Sequence, residues 1–301
     1  MISAPADRLV SWEEIQDIEL VVLRRMKEFA MGSHKSVFQG AGFDLVGLRE
    51  WEPGDRAAAI DWPQSSLSNF SPLLTREFEQ ESTASVVIVA DSSLSTRCGA
   101  GGTPIAKVIA RTVATLSLAA AFFQDLVGLV TMNGTERRLV VPLRTGRNHA
   151  VHCAEIYQQC LSDDYTSTTL HQGASLAGLL RKRSLIPVVT DCLTDDPRRV
   201  ITEFAALNGF HDVFMVMIDC TFAFRLPRVR AGWIEAYDVE TGVSRVFSSE
   251  EVEQFERTVK SWQDKSVQLG RECGLDVVRI KPGKEYQALA AFLNGRRTQK
   301  R

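Results

Sequence analysis

Three short runs of aliphatic residues, each closed by an aspartate, do most to limit the folds open to this chain. Residues 85–90 end at Asp91, residues 185–190 at Asp191 and residues 213–218 at Asp219. Runs of this length, rich in Val and Ile and apolar at consecutive positions, are those of strands buried on both faces, as in parallel sheets. The intervening sequence has helical spacing. Thr103 and Pro104 read as the cap and first turn of a helix reaching about residue 123. Residues 126–132 read as a strand, Asn133-Gly134 as a hairpin turn and residues 138–143 as the returning strand. Residues 148–161, 170–183 and 196–207 read as helices. Strands alternating with helices imply an α/β fold, a doubly wound and mostly parallel sheet, with the hairpin supplying one antiparallel edge.

The flanks differ. Residues 11–31 predict an amphipathic helix: Ser11 and Glu14 have capping-box spacing, and Ile15, Ile18, Val22, Met26 and Phe29 recur on one face before Gly32. Residues 32–80 are rich in Gly, Pro, Ser and aromatic residues and read as an irregular, β-containing segment. Beyond residue 222 the pattern continues more loosely. A strand is expected at 233–239, a turn at 240–242, a helix capped by Ser248 and Glu251 to about 271, a strand at 275–280 and a last helix at 285–293. The basic end, Arg296, Arg297, Lys300 and Arg301, reads as a solvated tail. The expected division is 1–82 as N-terminal helix and irregular segment, 83–222 as the α/β core, and 223–301 as an elaboration completing it.

A chain of 301 residues, 45% hydrophobic and 24% charged, has ample material for a large core. A net charge of -2 argues against nucleic acid as the main partner. The six cysteines are scattered with no C-x-x-C pair, and no signal peptide is visible, so reduced thiols in a cytoplasmic protein are expected. The longest apolar stretch, 113–132, is interrupted by Gln124 and Asp125 and reads as a buried helix then a strand, with no membrane span.

Ligands of open α/β sheets bind beyond the carboxyl ends of the strands, and three loops place oxygen ligands there. The first is Asp91-Ser92-Ser93-Leu94-Ser95, in which alternation sends Asp91, Ser93 and Ser95 toward one point. The second is residues 166–169, a run of Thr and Ser with Thr168 or its neighbour Thr169 as donor. The third is Asp191. Two carboxylates with three hydroxyls suit Mg²⁺ or another divalent cation, which takes oxygen ligands and keeps some of its waters. With only two negative charges such an ion stays electrophilic toward an incoming carboxylate, the logic of a site that recruits a partner's Asp or Glu.

These loops resemble the metal-ion-dependent adhesion site (MIDAS) of von Willebrand factor A-type (vWA) domains, whose fold is Rossmann-like. The resemblance implies direct metal contacts from Ser93, Ser95 and Thr168, with Asp91 and Asp191 acting largely through water. A wider resemblance runs through residues 32–36, Gly40-Ala41-Gly42-Phe43, Leu48-Arg49-Glu50-Trp51-Glu52-Pro53-Gly54-Asp55 and Ile60-Asp61-Trp62. This is similar to the signature of the domain of unknown function 58 family, which carries an A-type domain after that segment. It implies a protein partner, a MoxR-type AAA+ ATPase, and a chaperone-like role in maturing or assembling other proteins. Ala58, Ala59 and Leu67 stand where the family usually has other residues, arginines before the Ile-Asp-Trp and at Leu67.

Arg49, Asp55 and Asp61 suit buried charge pairs, and Trp51 and Trp62 suit anchors of the N-terminal segment. Residues 98–102 have the composition of a phosphate loop but lack the lysine spacing, and read as a flexible loop beside the metal site. The five histidines show no metal spacing and read as structural or surface residues. A hydrolase of haloacid dehalogenase type also places an Asp after the first strand. It needs a second carboxylate two residues on, where this chain has Ser93. A non-enzymatic, metal-dependent protein-interaction module is expected.

Overall fold

The computed structural model describes residues 9–31, 45–52, 60–78, 84–100, 102–133, 136–161, 180, 182–224, 234–237 and 244–299. The chain divides into two compact units, one formed by Met1–Phe38 with Ala84–Arg301 and one by Gln39–Thr83.

In the smaller unit, β1 (Leu45–Glu50) pairs antiparallel with β2 (Leu74–Phe78), Glu50 opposite Leu74. Before β2 lies a short helix, α2 (Trp62–Leu67), inside the stretch expected to lack helix. Its start follows ordinary capping chemistry: the Asp61 carboxylate accepts from the Gln64 N–H, and proline occupies the first turn. Buried Ser65 fixes α2 to the strand by accepting from the Leu74 N–H at 2.8 Å.

The larger unit holds six strands: β3 (Ser85–Asp91), β4 (Leu126–Asn133), β5 (Glu136–Arg144), β6 (Leu185–Thr190), β7 (Asp212–Ile218) and β10 (Asp276–Ile280). Their order across the sheet is β10-β7-β6-β3-β4-β5, and every neighbouring pair is parallel except β4 with β5. The fold is therefore an α/β fold with a mostly parallel sheet flanked by helices. A separate two-stranded ribbon joins β8 (Ile234–Tyr237) to β9 (Ser244–Phe247); β9 was not expected from the sequence.

The two cores follow from strand periodicity. Along β3, Val86, Ile88 and Ala90 enter one cluster while Val87 and Val89 enter the other; along β7, Phe214, Val216 and Ile218 alternate in the same way with Val213, Met215 and Met217. The first cluster lies under α1 (Trp12–Met31), α3 (Ile105–Phe122), α4 (Arg147–Gln159) and α7 (Glu285–Gln299), and the second under α5 (Pro197–Leu207) and α6 (Ser249–Glu272).

The apolar α3 is long and apolar enough to cross a membrane, but 78% of it is buried in this fold. It starts one residue later than the sequence suggested, because Thr103–Pro104 closes a two-residue ribbon with Gly99–Ala100 and leaves Pro104 at the cap. Gln124 ends it at φ 60°, with the Asp125 N–H returning to Ala120.

The reciprocal caps of α1 (Ser11 with Glu14) and α6 (Ser248 with Glu251) both form. Glu14 also accepts from Lys107 and Arg111, joining α1 to α3, so α1 belongs to the larger unit. The C-terminal basic residues do not all behave as a solvated tail. Helix α7 runs on to Gln299, and Arg296 pairs with Asp212 and Asp276 at 2.6 Å each while lying over the Phe214 and Phe292 rings. Two anchored carboxylates at the starts of β7 and β10 thus hold this helix end down.

Candidate functional site

The sheet order fixes where a ligand belongs. From β3 the chain passes over one face to β4; from β6 it passes over the opposite face to β7. The carboxyl ends of the neighbours β3 and β6 therefore open between α3 and α5, at the switch point of the sheet. Asp91 is the last residue of β3, and Asp191 follows the last residue of β6.

The side chains there form one continuous chain of contacts. Asp91 Oδ1 accepts from the Ser93 N–H at 3.0 Å and from the Ser93 hydroxyl at 2.6 Å. The Ser93 and Ser95 hydroxyls lie 2.9 Å apart, and the Ser95 hydroxyl donates to Asp191 Oδ2 at 3.5 Å. The residues between point elsewhere, the Ser92 hydroxyl bonding Met132 O. Backbone geometry produces this convergence: Ser93 is extended, with ψ 160°, and caps a 3-10 turn (Leu94–Arg97) that swings Ser95 back over the strand end.

Four further residues, none marked by a sequence motif, hold the site. Thr190 donates to Asp91 Oδ2 at 2.6 Å, and Tyr157 on α4 donates to the Asp91 carbonyl at 2.6 Å. Gln263 on α6, fully buried, donates to the Asp191 and Ile218 carbonyls at 2.9 and 2.7 Å and accepts from the Cys220 N–H. Trp262 donates to the Cys192 carbonyl at 2.9 Å, and Cys192 itself sits at φ 56°, which is rare for a non-glycine residue.

Asp91 is 7% exposed and Asp191 0%. Burial first, and then the charge of Asp91, push the Asp191 pKa up to about 8. Burial, and then the charges of Asp191 and Asp91, push the neighbouring Cys192 thiol pKa up. No lysine or arginine is among the described residues lining the cavity of about 590 Å³ at this mouth. Among the described residues no three His, Cys, Asp or Glu side chains group as a metal cluster. The donor set is instead two carboxylates and hydroxyls, hard oxygen ligands with no cationic side chain beside them among the described residues. Such donors suit a divalent cation of the Mg²⁺ type.

Of the residues expected at the site, Asp91, Ser93, Ser95 and Asp191 come together. Thr168 and the alternative Thr169 lie outside the described residues, as do Gly54 and Asp55. Arg49 lies on β1 opposite Thr75. Asp61 serves as the α2 cap. The buried Trp51 indole N–H has no hydrogen-bond partner among the described residues. Trp62 opens α2 and is 54% exposed. The third strand-ending aspartate, Asp219, takes no part and accepts from its own Thr221 at 2.6 Å.

A family model described as "Protein of unknown function DUF58" matches residues 47–265. Two curated relatives, Uncharacterized protein Rv1480 of Mycobacterium tuberculosis and Uncharacterized protein Mb1516 of Mycobacterium bovis, are each 22% identical over 298 residues, covering 94% of this chain and 89% of theirs. Among solved structures, the conserved hypothetical protein BatB from Bacteroides thetaiotaomicron is 14% identical with a TM-score of 0.40, covering 72% of this chain and 99% of that one. An aerotolerance-related membrane protein from Bacteroides fragilis is 13% identical with a TM-score of 0.39, covering 70% and 99%.

Proposed function

The chain belongs to the family described as protein of unknown function DUF58, and from that premise we propose that it is a non-enzymatic, divalent-cation-dependent protein-interaction module of vWA type. One observation carries the reading: Asp91, Ser93, Ser95 and Asp191 form an unbroken oxygen chain at the switch point of a mostly parallel sheet. In this reading Ser93 and Ser95, with Thr168, hold Mg²⁺ directly, and Asp91 and Asp191 act largely through water. The bound ion would present an open position to a partner's carboxylate. The chain's own groups do the rest. Thr190 and Tyr157 fix Asp91, while Gln263 and Trp262 fix the turn that carries Asp191.

The partner proposed is a MoxR-type AAA+ ATPase or an acidic residue of a client protein, in chaperone-like maturation or assembly in the cytoplasm. A hydrolase of haloacid dehalogenase type is disfavoured. The position two residues beyond Asp91, where its acid–base carboxylate belongs, is Ser93, and that hydroxyl is committed to Asp91.

A pull-down from native lysate in Mg²⁺ and then in EDTA tests the reading. An AAA+ ATPase retained by the parent chain only with metal, and lost by folded Asp191→Ala and Asp91→Ala variants, is expected. The same partners bound with the metal chelated would show that the cation is not the recognition element.

A further inference from the structure

The cavity over the site has two unlike ends. Asp91, Ser93 and Ser95 form a polar floor; Leu193, Val200, Phe224, Phe255, Val259 and Trp262 form an apolar wall beside it. Phe255, Val259 and Trp262 of this wall come from α6, and Phe224 comes from the 3-10 turn Cys220–Phe224 that follows β7. Phe224 and Phe255 meet edge to face with ring centres 5.2 Å apart, and the Phe247 ring centre lies 6.4 Å from that of Phe255. Phe255 is nevertheless 46% exposed and Trp262 37%, so the aromatic cluster is left open where a ligand would sit. Clustered, partly exposed aromatic side chains beside a polar site have the composition of an interface centre.

We propose that this wall makes the site selective for an acidic residue flanked by a bulky apolar one, on an exposed loop of a partner protein. The inference rests on the metal-dependent reading above and names what that site recognises. Charge decides which end takes which group: the partner's carboxylate meets the cation-bearing floor, and an aliphatic or aromatic side chain within two residues of it reaches the wall. The cavity, about 590 Å³, has room for both side chains, and a lone carboxylate would leave the wall uncovered. An apolar ligand alone would leave the floor's charges without a partner.

Heptapeptides displayed on phage, with a fixed central Asp or Glu and all other positions random, would be panned on the immobilised full chain in Mg²⁺ and eluted with EDTA. Enrichment of Leu, Ile, Met or Phe within two positions of the acid is expected. A selected peptide should bind Phe255→Ser about tenfold more weakly, the loss of one aromatic contact, and Phe255→Leu nearly as well as the parent. Both substitutions are at an exposed position, and an unchanged melting temperature establishes that they fold. EDTA-eluted acidic peptides without apolar bias, or binding indifferent to Phe255→Ser, would overturn the proposal and leave the metal-dependent reading standing. If EDTA releases nothing, that reading falls and the proposal falls with it.

Discussion

Asp125 follows the end of α3, fully buried, with one carboxylate oxygen accepting the Ala84 N–H at 3.0 Å and the other without a partner among the described residues. Burial pushes its pKa up to about 6. The folded chain therefore binds this proton more tightly than the unfolded chain does. The group costs nothing below about pH 4, and its destabilising effect grows between about pH 4 and 6 and is complete above. Asp125→Asn keeps the oxygen for Ala84 and removes the charge. Urea unfolding should show the variant gaining about 2–3 kcal/mol on the parent between pH 4 and pH 7. The convergence of Asp91, Ser93 and Ser95 was legible, because a strand-ending Asp followed by alternate serines is a local pattern. The residues that hold them were not: a Tyr, a Thr and a Gln among hundreds of possible contacts acquire their roles only when distant elements meet.

Helix α6 belongs to the part of the chain whose pattern is loosest, yet it bonds the turn that carries Asp191 through both Gln263 and Trp262. Gln263 serves three backbone groups at once, from the Asp191 turn and from the end of β7. Gln263→Leu would fill similar space and leave all three without that partner. A loss of about 3 kcal/mol in unfolding free energy is expected, against a loss within about 0.5 kcal/mol for a solvent-facing α6 change such as Lys260→Ala. Denaturant titration of the two variants decides it; equal effects would mean the clasp contributes nothing of its own. The helix was foreseeable from Ser248 and Glu251, whose capping signal is local. Its grip on Asp191 was not, since a lone Gln on a mostly polar helix has no periodicity to betray it. Helix α2 was missed for a different reason: six residues within a Pro- and Ser-rich stretch give too short a window for a helical repeat, although Asp61 with Pro63 was a usable cap signal.

At the scale of the whole molecule, the strand order brings residues a hundred positions apart to one opening. Consecutive apolar runs made the parallel sheet readable, and their closing aspartates marked its carboxyl edge. Which two of the three aspartates would share a site depended on the order of strands: β3 and β6 are neighbours at the point where the winding reverses, whereas Asp219 ends β7, one strand further out. If the account is right, a divalent cation binds where Asp91 and Asp191 meet and stabilises the native chain over the unfolded one. Thermal unfolding of the full chain in EDTA and in millimolar Mg²⁺ measures this directly, with Asp91→Ala as the control. The melting temperature should rise by roughly 5 °C in Mg²⁺ for the parent chain and stay unchanged for the variant, as expected for about 2 kcal/mol of ligand stabilisation in a chain of this size. No rise, or the same rise in both proteins, would contradict a cation at this site.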